Sequence, residues 1–352
     1  IWSDRRDANF IDDNNHIYMQ KITPENGLVW EGEVGIGVDL ENIEFGIDHR
    51  QSRLSVDNEG GAFIVWEGNT NNDKYDIYFQ HVNSNGALSF NINGLALTNE
   101  NKTQINPIVR QDFNGGAFII WGDYTQGSPG IYVQHVGQSG QLSFEEGGRE
   151  MFWGLDGNSV SSYATKPTSH YLGNNKAIIG WSDQRFGAGS IINFGQKIYN
   201  NWENNEQSDG YTLSNYTSNG GGQDFPQIST LGDNIIHFFP TQQGWGPSLR
   251  YQLLDQNLNI LGDDQGQSVT QSDLPQFWDT FKFINASNGY GYLVFSEQVD
   301  FFAFNILLQK YDSFGNSIFP NPINLTSDYL SDKNVKDFHE IEGVGFFVVF
   351  QS

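Results

Sequence analysis

Residues 77–90 read IYFQHVNSNGALSF and residues 131–144 read IYVQHVGQSGQLSF, nearly the same fourteen residues twice, 54 positions apart. In each copy a β-forming run leads into a turn that carries Gly, and a second run ends on Phe. That is the pattern of a β-hairpin. The Gln of this stretch recurs as Gln20, Gln80, Gln134, Gln196, Gln252 and Gln309, with gaps of 60, 54, 62, 56 and 57. In four copies an aromatic follows ten residues later, at Trp30, Phe90, Phe144 and Phe319.

A second hairpin precedes most of these. Residues 53–68 read RLSVDNEGGAFIVWEG and residues 107–123 read PIVRQDFNGGAFIIWGD, β-formers on either side of an Asp-x-x-Gly-Gly turn. The second strand of this hairpin ends in an aromatic column of Trp2, Trp66, Trp121, Trp181, Phe239, Phe295 and Phe350. Each unit therefore has four strands, A to D. Periods of this length, with four strands and no helical pattern, predict an all-β fold, a β-propeller of four-stranded blades. One such sheet cannot bury both faces by itself, whereas stacked sheets bury all but their outer edges. The chain begins with strands C and D and ends with A and B, which predicts six blades closed by a two-plus-two seam. Trp2 already stands in the strand B column, which keeps seven blades, or a fragment of a larger ring, as the alternative.

The string Asp-Ile-Tyr-x-Gln-x-Val-x-x-x-Gly from Asp76, with the Asp-x-x-Gly-Gly turns and Trp2-Ser3-Asp4-Arg5-Arg6 echoed by Trp181-Ser182-Asp183-Gln184-Arg185, resembles a repeat of secreted and cell-surface bacterial propeller proteins of the Bacteroidota type. The match is close over residues 52–144 and fades beyond residue 200. The resemblance implies that residues 1–352 are one propeller domain, a monomeric module of a longer multidomain chain, with a secreted or cell-surface setting. It implies no single activity, since propellers host many.

Composition narrows the classes. Asp and Glu number 42 against 18 Lys and Arg, a net charge of −24, and such a field repels phosphate backbones. Nucleic acid is excluded as the expected partner. No apolar run is long enough for a membrane span, and with no Cys there is no disulfide or thiol chemistry.

If strand A is innermost, the B–C and D–A loops share one face, and these loops are long while the A–B turns are tight. Long, irregular loops are where binding function concentrates. Trp245, Trp278, Phe301 and Phe302 fall in them, with Asn and Asp nearby, as a platform on which sugar rings could stack; packing of loop on blade is the plainer reading of such rings. Arg185 joins this binding set, although a motif that recurs with the repeat reads first as a structural corner. Asp7, Asp12 and Asp13 are candidate calcium ligands, since hard cations take several oxygens, but they lack the spacing of a calcium loop. His81 and His135 share one repeat column and read as structural, and no other cofactor is indicated.

The expected function is a non-catalytic binding or scaffold module for an extracellular glycan or a surface protein. The alternative is a glycan-active enzyme, a glycoside hydrolase or polysaccharide lyase. An enzyme should break the repeat with unique polar residues converging at one end of the strands, whereas a scaffold should preserve it.

Overall fold

The computed structural model describes residues 1–4, 15–23, 25, 27–30, 36–37, 48–71, 74–99, 103–124, 130–152, 167–183, 191–200, 210–215, 226–243, 246–270, 276–300, 303–326, 333–341 and 343–351. Among these, every regular element is a β-strand. The first sheet, ordered β1-β2-β5, uses β1 (Trp2–Asp4), β2 (His16–Met19) and β5 (Ile36–Gly37), while β3 (Ile22–Thr23) and β4 (Gly27–Leu28) pair with each other. Four sheets then follow the A-B-C-D order strictly. They are β6 (His49–Val56) to β9 (Leu95–Ala96) through β7 (Ala62–Asn71) and β8 (Lys74–Val82); β10 (Gln104–Gln111) to β13 (Arg149–Phe152) through β11 (Ala117–Asp123) and β12 (Gly130–Val136); and β14 (Thr168–Gly173), β15 (Lys176–Asp183), β16 (Ile192–Tyr199) and β17 (Tyr211–Thr212). The fourth is reached after a sheet of β18 (Gln227–Leu231), β19 (Asn234–Gln243), β20 (Gly246–Leu254) and β21 (Ile260–Leu261), in which β22 (Gln267–Ser268) also pairs β20. It consists of β23 (Gln276–Asn285), β24 (Gly291–Asp300), β25 (Ala303–Tyr311) and β26 (Ile323–Asn324). The chain ends on the hairpin β27 (Asn334–Ile341) and β28 (Gly345–Gln351). These antiparallel meanders are the blades of a β-propeller, as the repeat predicts.

By contact density the chain divides into two compact units. One is Ile1–Pro167 with Tyr171–Ile179 and Lys197–Asp209, and the other is Thr168–His170 with Gly180–Gln196 and Gly210–Ser352.

The expected two-plus-two seam is corrected at β2. Its edge carries β1, in the register Trp2↔Tyr18 that Trp66↔Tyr78 and Trp121↔Tyr132 repeat. Trp2 is thus a working strand B, and it occupies the ladder the seam would have assigned to β28. Within its own unit β28 pairs only β27, and Phe350 is 43% exposed where Trp66, Trp121 and Trp181 are fully buried.

Side chains alternate along the strands β7, β11, β15, β19 and β24, and both faces are buried. On β7, Ala62, Ile64 and Trp66 cluster with Ile17, Met19 and Trp30, while Phe63 and Val65 cluster with Val109, Ala117, Ile119 and Trp121. In the second unit Phe238 and Tyr251 pack with Phe281, Leu293, Phe295 and Tyr311. Two buried faces explain why the B strands read as unbroken apolar runs in the sequence.

The Gln column ties strand C to the start of strand D. Gln80 Oε1 accepts from the N–H groups of His81 and Phe90 at 3.1 and 3.0 Å, and its Nε2 donates to Asn91 O at 2.8 Å. Gln134 makes the same bonds to His135, Phe144 and Glu145. The aromatic that follows packs under the next blade's turn: a Cβ on Gly86 would lie 2.9 Å from Trp30, and one on Gly140 would lie 2.5 Å from Phe90. This is why Gln, Gly and aromatic recur together.

His81 and His135 are structural, as their column suggests. Asp57 Oδ2 meets His81 Nε2 at 2.8 Å, Ser89 Oγ meets His81 Nδ1 at 2.9 Å, and Asp57 Oδ1 accepts from Glu59 and Gly61 N–H. Asp112, His135 and Ser143 repeat the set. An Asp-His-Ser row invites comparison with a hydrolase triad, but its recurrence and its capping of the A–B turn mark it as a brace. Burial alone would raise Asp112, yet the bonds from His135 and from the Asn114 and Gly116 N–H groups outweigh it and hold the carboxyl below its ordinary value.

One buried base in the second unit makes stability depend on pH. His237 is fully enclosed on β19, stacked on Phe239 at 4.9 Å, and its Nε2 accepts from Asn193 Nδ2 at 3.1 Å, whose Oδ1 in turn accepts from Ser182 at 2.7 Å. Burial pushes its pKa down to about 3. The unfolded chain takes up this proton below about pH 6.5, its ordinary value, while the native state stays neutral. Stability is therefore whole above that pH and declines as pH falls toward 3, by up to about 1.4 kcal/mol per pH unit. Urea midpoints at pH 7 and pH 5 are expected to separate in the wild type and to converge in His237→Gln. Equal separation in both would assign the effect to other groups.

Candidate functional site

The end of the blades where strand A begins, strand B ends and strand C begins is where the long loops attach. In the first unit this end gathers a polar cluster from β2, β6, β7 and β8. Asn15 Nδ2 donates to Asp48 Oδ1 at 2.6 Å, His49 N–H donates to Asn15 O at 3.0 Å, and Asn69 N–H donates to Asp48 O at 3.0 Å. These bonds fasten the entry of β2 to the entry of β6.

They also bring His16 and His49 together. Both are buried, with ring centroids 6.1 Å apart and planes perpendicular. The His49 ring also lies 6.1 Å from each of Trp66 and Tyr78. The close approach needs Gly68, since a Cβ there would fall 2.7 Å from the Tyr78 ring and 3.0 Å from His49.

Beside them, Arg50 Nε donates to Glu67 Oε2 at 2.8 Å, and its guanidinium covers the Tyr75 ring at 3.6 Å. Glu67 is buried, while the Arg50 side chain is 44% exposed and presents its outer edge to solvent. Burial works against the charge, but the bond to Glu67 and the neighbouring negative groups outweigh it and raise the Arg50 pKa. Directly after it, β6 carries a bulge with Gln51 at φ 53°, and β10 repeats the device at Asn106, φ 54°. Bulges of this kind re-aim side chains at the ends of strands.

The buried carboxylates nearby are engaged. Glu67 Oε1 accepts from Asn106 N–H at 2.7 Å, Asp76 Oδ1 accepts from Thr98 at 3.1 Å, and Asp123 Oδ2 accepts from Gln104 Nε2 at 3.0 Å. Gln104 pairs with Asp123 across the ladder, and Gln276 pairs with Glu297 in the same way. In the second sheet that pair is His49 and Gly68. In the third sheet an amide meets a carboxylate there, Gln104 on Asp123, and the second sheet has an imidazole in the amide's place. His16 departs likewise, standing where the next two C strands have Asp76 and Gly130. These are the unique polar residues that an enzyme, by the sequence criterion, should converge at one end of the strands.

Of the residues singled out from sequence, Arg185, Trp245, Phe301, Phe302, Asp7, Asp12 and Asp13 lie outside the described residues. Trp278 belongs to β23, in the irregular stretch between Gln276 and Phe281, rather than to a loop, and its side chain is also outside the description. Among the described residues no group of three His, Asp or Glu is placed to hold a metal. On the last strand A, β27, Glu340 is tied to Ser287 at 2.7 and 2.9 Å and His339 to Asp337 at 2.9 Å. His16, His49 and Arg50 lie at the very ends of β2 and β6, where the sequence reads as B–C and D–A loop. A comparison of A-strand first residues, His49 against Gln104 and Gln276, would have found His49.

No protein family's sequence profile matches the chain, and no curated protein matches it. Solved structures do. A polysaccharide lyase, an ulvan lyase in complex with a glucuronate and sulfated-rhamnose saccharide, superposes with a TM-score of 0.55 at 10% identity, over 84% of this chain and 76% of its own. The same enzyme without saccharide gives 0.53 at 11% identity, over 81% and 73%. The Penicillium chrysogenum α-L-arabinanase with arabinobiose gives 0.50 at 13% identity, over 84% and 87%. At such identities the likeness shows the fold, a β-propeller. It also corrects the expectation of a non-catalytic binding or scaffold module, because each of these similar structures is a glycan-cleaving enzyme.

Proposed function

We propose that this protein is a glycan-active enzyme whose reaction centre is the His16–His49–Tyr78 cluster with Arg50 at its rim. The observation that carries this reading is the replacement of the repeat's Gln–Asp pair by His49 and Gly68 at the loop end of the second sheet. A repeated feature holds blades together, whereas a departure from it that packs two imidazoles and a phenol into one buried corner is suited to moving protons.

Among glycan-cleaving reactions the arrangement favours elimination. A hydrolase needs two carboxyls flanking the scissile bond, and among the described residues the buried carboxyls at this end, Glu67, Asp76 and Asp123, each accept a structural hydrogen bond. In an elimination, an imidazole takes the proton from the carbon beside a uronate carboxylate. The electron pair forms a carbon–carbon double bond, the glycosidic carbon–oxygen bond breaks, and the leaving oxygen takes a proton from a second group. Two imidazoles and a phenol offer base and acid, and Arg50 offers a cation for the carboxylate. An extracellular setting, implied by the repeat's resemblance, suits a polymer too large to enter a cell.

The test is incubation with uronate-containing and neutral polysaccharides, following unsaturated and reducing ends separately. Unsaturated ends are expected. Reducing ends without unsaturation would replace elimination by hydrolysis, and neither product from any polymer would overturn the reading. The charge of −24 adds a check: cleavage of an anionic polymer at low substrate should rise with salt, as screening removes the repulsion.

A further inference from the structure

At the other end of the same strands, the A–B turns of the second and third sheets enclose a cavity of about 220 Å³ lined by Asp57, Glu59, Phe63, Gln111, Phe113 and Gln138 among others. Along β7 it is separated from the His49 corner by the run from Ala62 to Gly68, ~20 Å at ~3.3 Å per residue.

Phe113 is what sets this cavity apart. It follows Asp112 in the A–B turn, where the preceding blade has Asn58, and it is 50% exposed. Its φ is +60°, a left-handed conformation that costs a bulky side chain about 1–2 kcal/mol. The turn holds this conformation through braces from the following blade's A–B hairpin. The Phe113 ring packs against Tyr171 with centroids 4.7 Å apart and planes tilted by 33°, Asn114 Nδ2 donates to Asn175 Oδ1, and Asn175 N–H donates to the Tyr171 hydroxyl at 3.1 Å. Half of the ring stays exposed despite that contact, and an Asn would adopt the conformation at lower backbone cost. Strain kept in place by its surroundings points to a use for the ring.

We propose that this cavity is a saccharide-binding subsite, separate from the cleavage site, which takes one neutral pyranose unit. The volume lies below the ~300–1,000 Å³ of sites for drug-sized ligands, which suits a single ring. Phe113 supplies the flat apolar surface that a sugar's C–H face covers. Gln111 and Gln138 supply amides that both donate and accept to hydroxyls. Glu59 accepts from hydroxyls, and its charge together with that of Asp57, whose oxygens are held by the turn and His81, repels a carboxylate or sulfate, which sets the preference for a neutral unit. On a polymer, such a subsite would hold the chain on the enzyme between cleavage events.

The inference does not require the cleavage reading, because binding is measured by itself. The probes are the methyl glycosides of glucose, galactose, xylose and rhamnose, with methyl glucuronide as the charged control, followed by saturation-transfer NMR and titration. At least one neutral glycoside is expected to bind the wild type. Affinity should fall ~10-fold in Phe113→Asn, the scale of one lost ring stack, and fall also in Gln138→Ala. It should be unchanged in His49→Gln. Phe113→Asn relieves backbone strain and gives up the contact with Tyr171, so binding is measured below the variant's own thermal midpoint, where lost binding is not lost folding. Three results would each overturn the proposal: no neutral glycoside binds, binding survives both Phe113→Asn and Gln138→Ala, or the glucuronide binds as tightly as the neutral sugars.

Discussion

His49→Gln is expected to reduce polysaccharide cleavage by about 10²–10⁴-fold, the usual contribution of a positioned acid or base, with the fold intact. Glutamine is what the repeat itself places at this position, in Gln104 opposite Asp123 and in Gln276 opposite Glu297. The substitution therefore restores a residue that other blades already accommodate. It keeps a polar side chain beside Trp66 and Tyr78 and removes only the imidazole. The loss should fall on kcat, with little change in KM, if His49 acts on the reacting atoms. Initial rates on a cleaved polymer, with circular dichroism as a check on folding, decide the matter. Retention of more than about a tenth of the rate would place the chemistry elsewhere, since that is below the contribution of general acid–base catalysis.

Gly148→Ala is expected to cost about 2–5 kcal/mol of stability, although it adds a single methyl group. Gly148 has φ +81°, so any L side chain there is strained, and its Cβ would lie 2.3 Å from the Trp121 ring and 2.9 Å from Val133 O. Trp121 is fully buried and cannot withdraw. The same meeting recurs at Gly94 with Trp66, Gly210 with Trp181 and Gly266 with Phe239, at 2.5, 2.6 and 3.0 Å. A smaller ring should relieve part of the penalty, so Gly148→Ala should cost less in a Trp121→Phe background than alone. Denaturant midpoints for the four proteins of that cycle measure the coupling. Strict additivity would mean that backbone strain alone, and not the ring, carries the cost.

These two predictions separate what could be read from the chain from what could not. The four-stranded units follow from spacing, because a ladder fixes where turns and apolar faces must fall. The Gln column, the Asp-capped A–B turns and the His81 and His135 braces follow for the same reason, since local hydrogen bonds within a hairpin repeat whenever its sequence does. The D-strand glycines belong to a different class. Gly148 and Trp121 stand 27 positions apart and meet only once β12 and β13 have paired, so neither residue announces the other.

The seam misled for a related reason. Trp2 matched the strand B column, but whether β1 or β28 completes β2 is a choice between two chemically similar ladders. The hydrogen bonds of the structure made it, in favour of β1. The candidate site lay in what looked like loop ends, and His16 and His49 are 33 residues apart. The sequence by itself determined the repeating sheet, because period-two burial and turn chemistry are local properties of the chain. Only the tertiary structure decided which departures from the repeat meet, because contact between blades brings together side chains that no spacing rule connects.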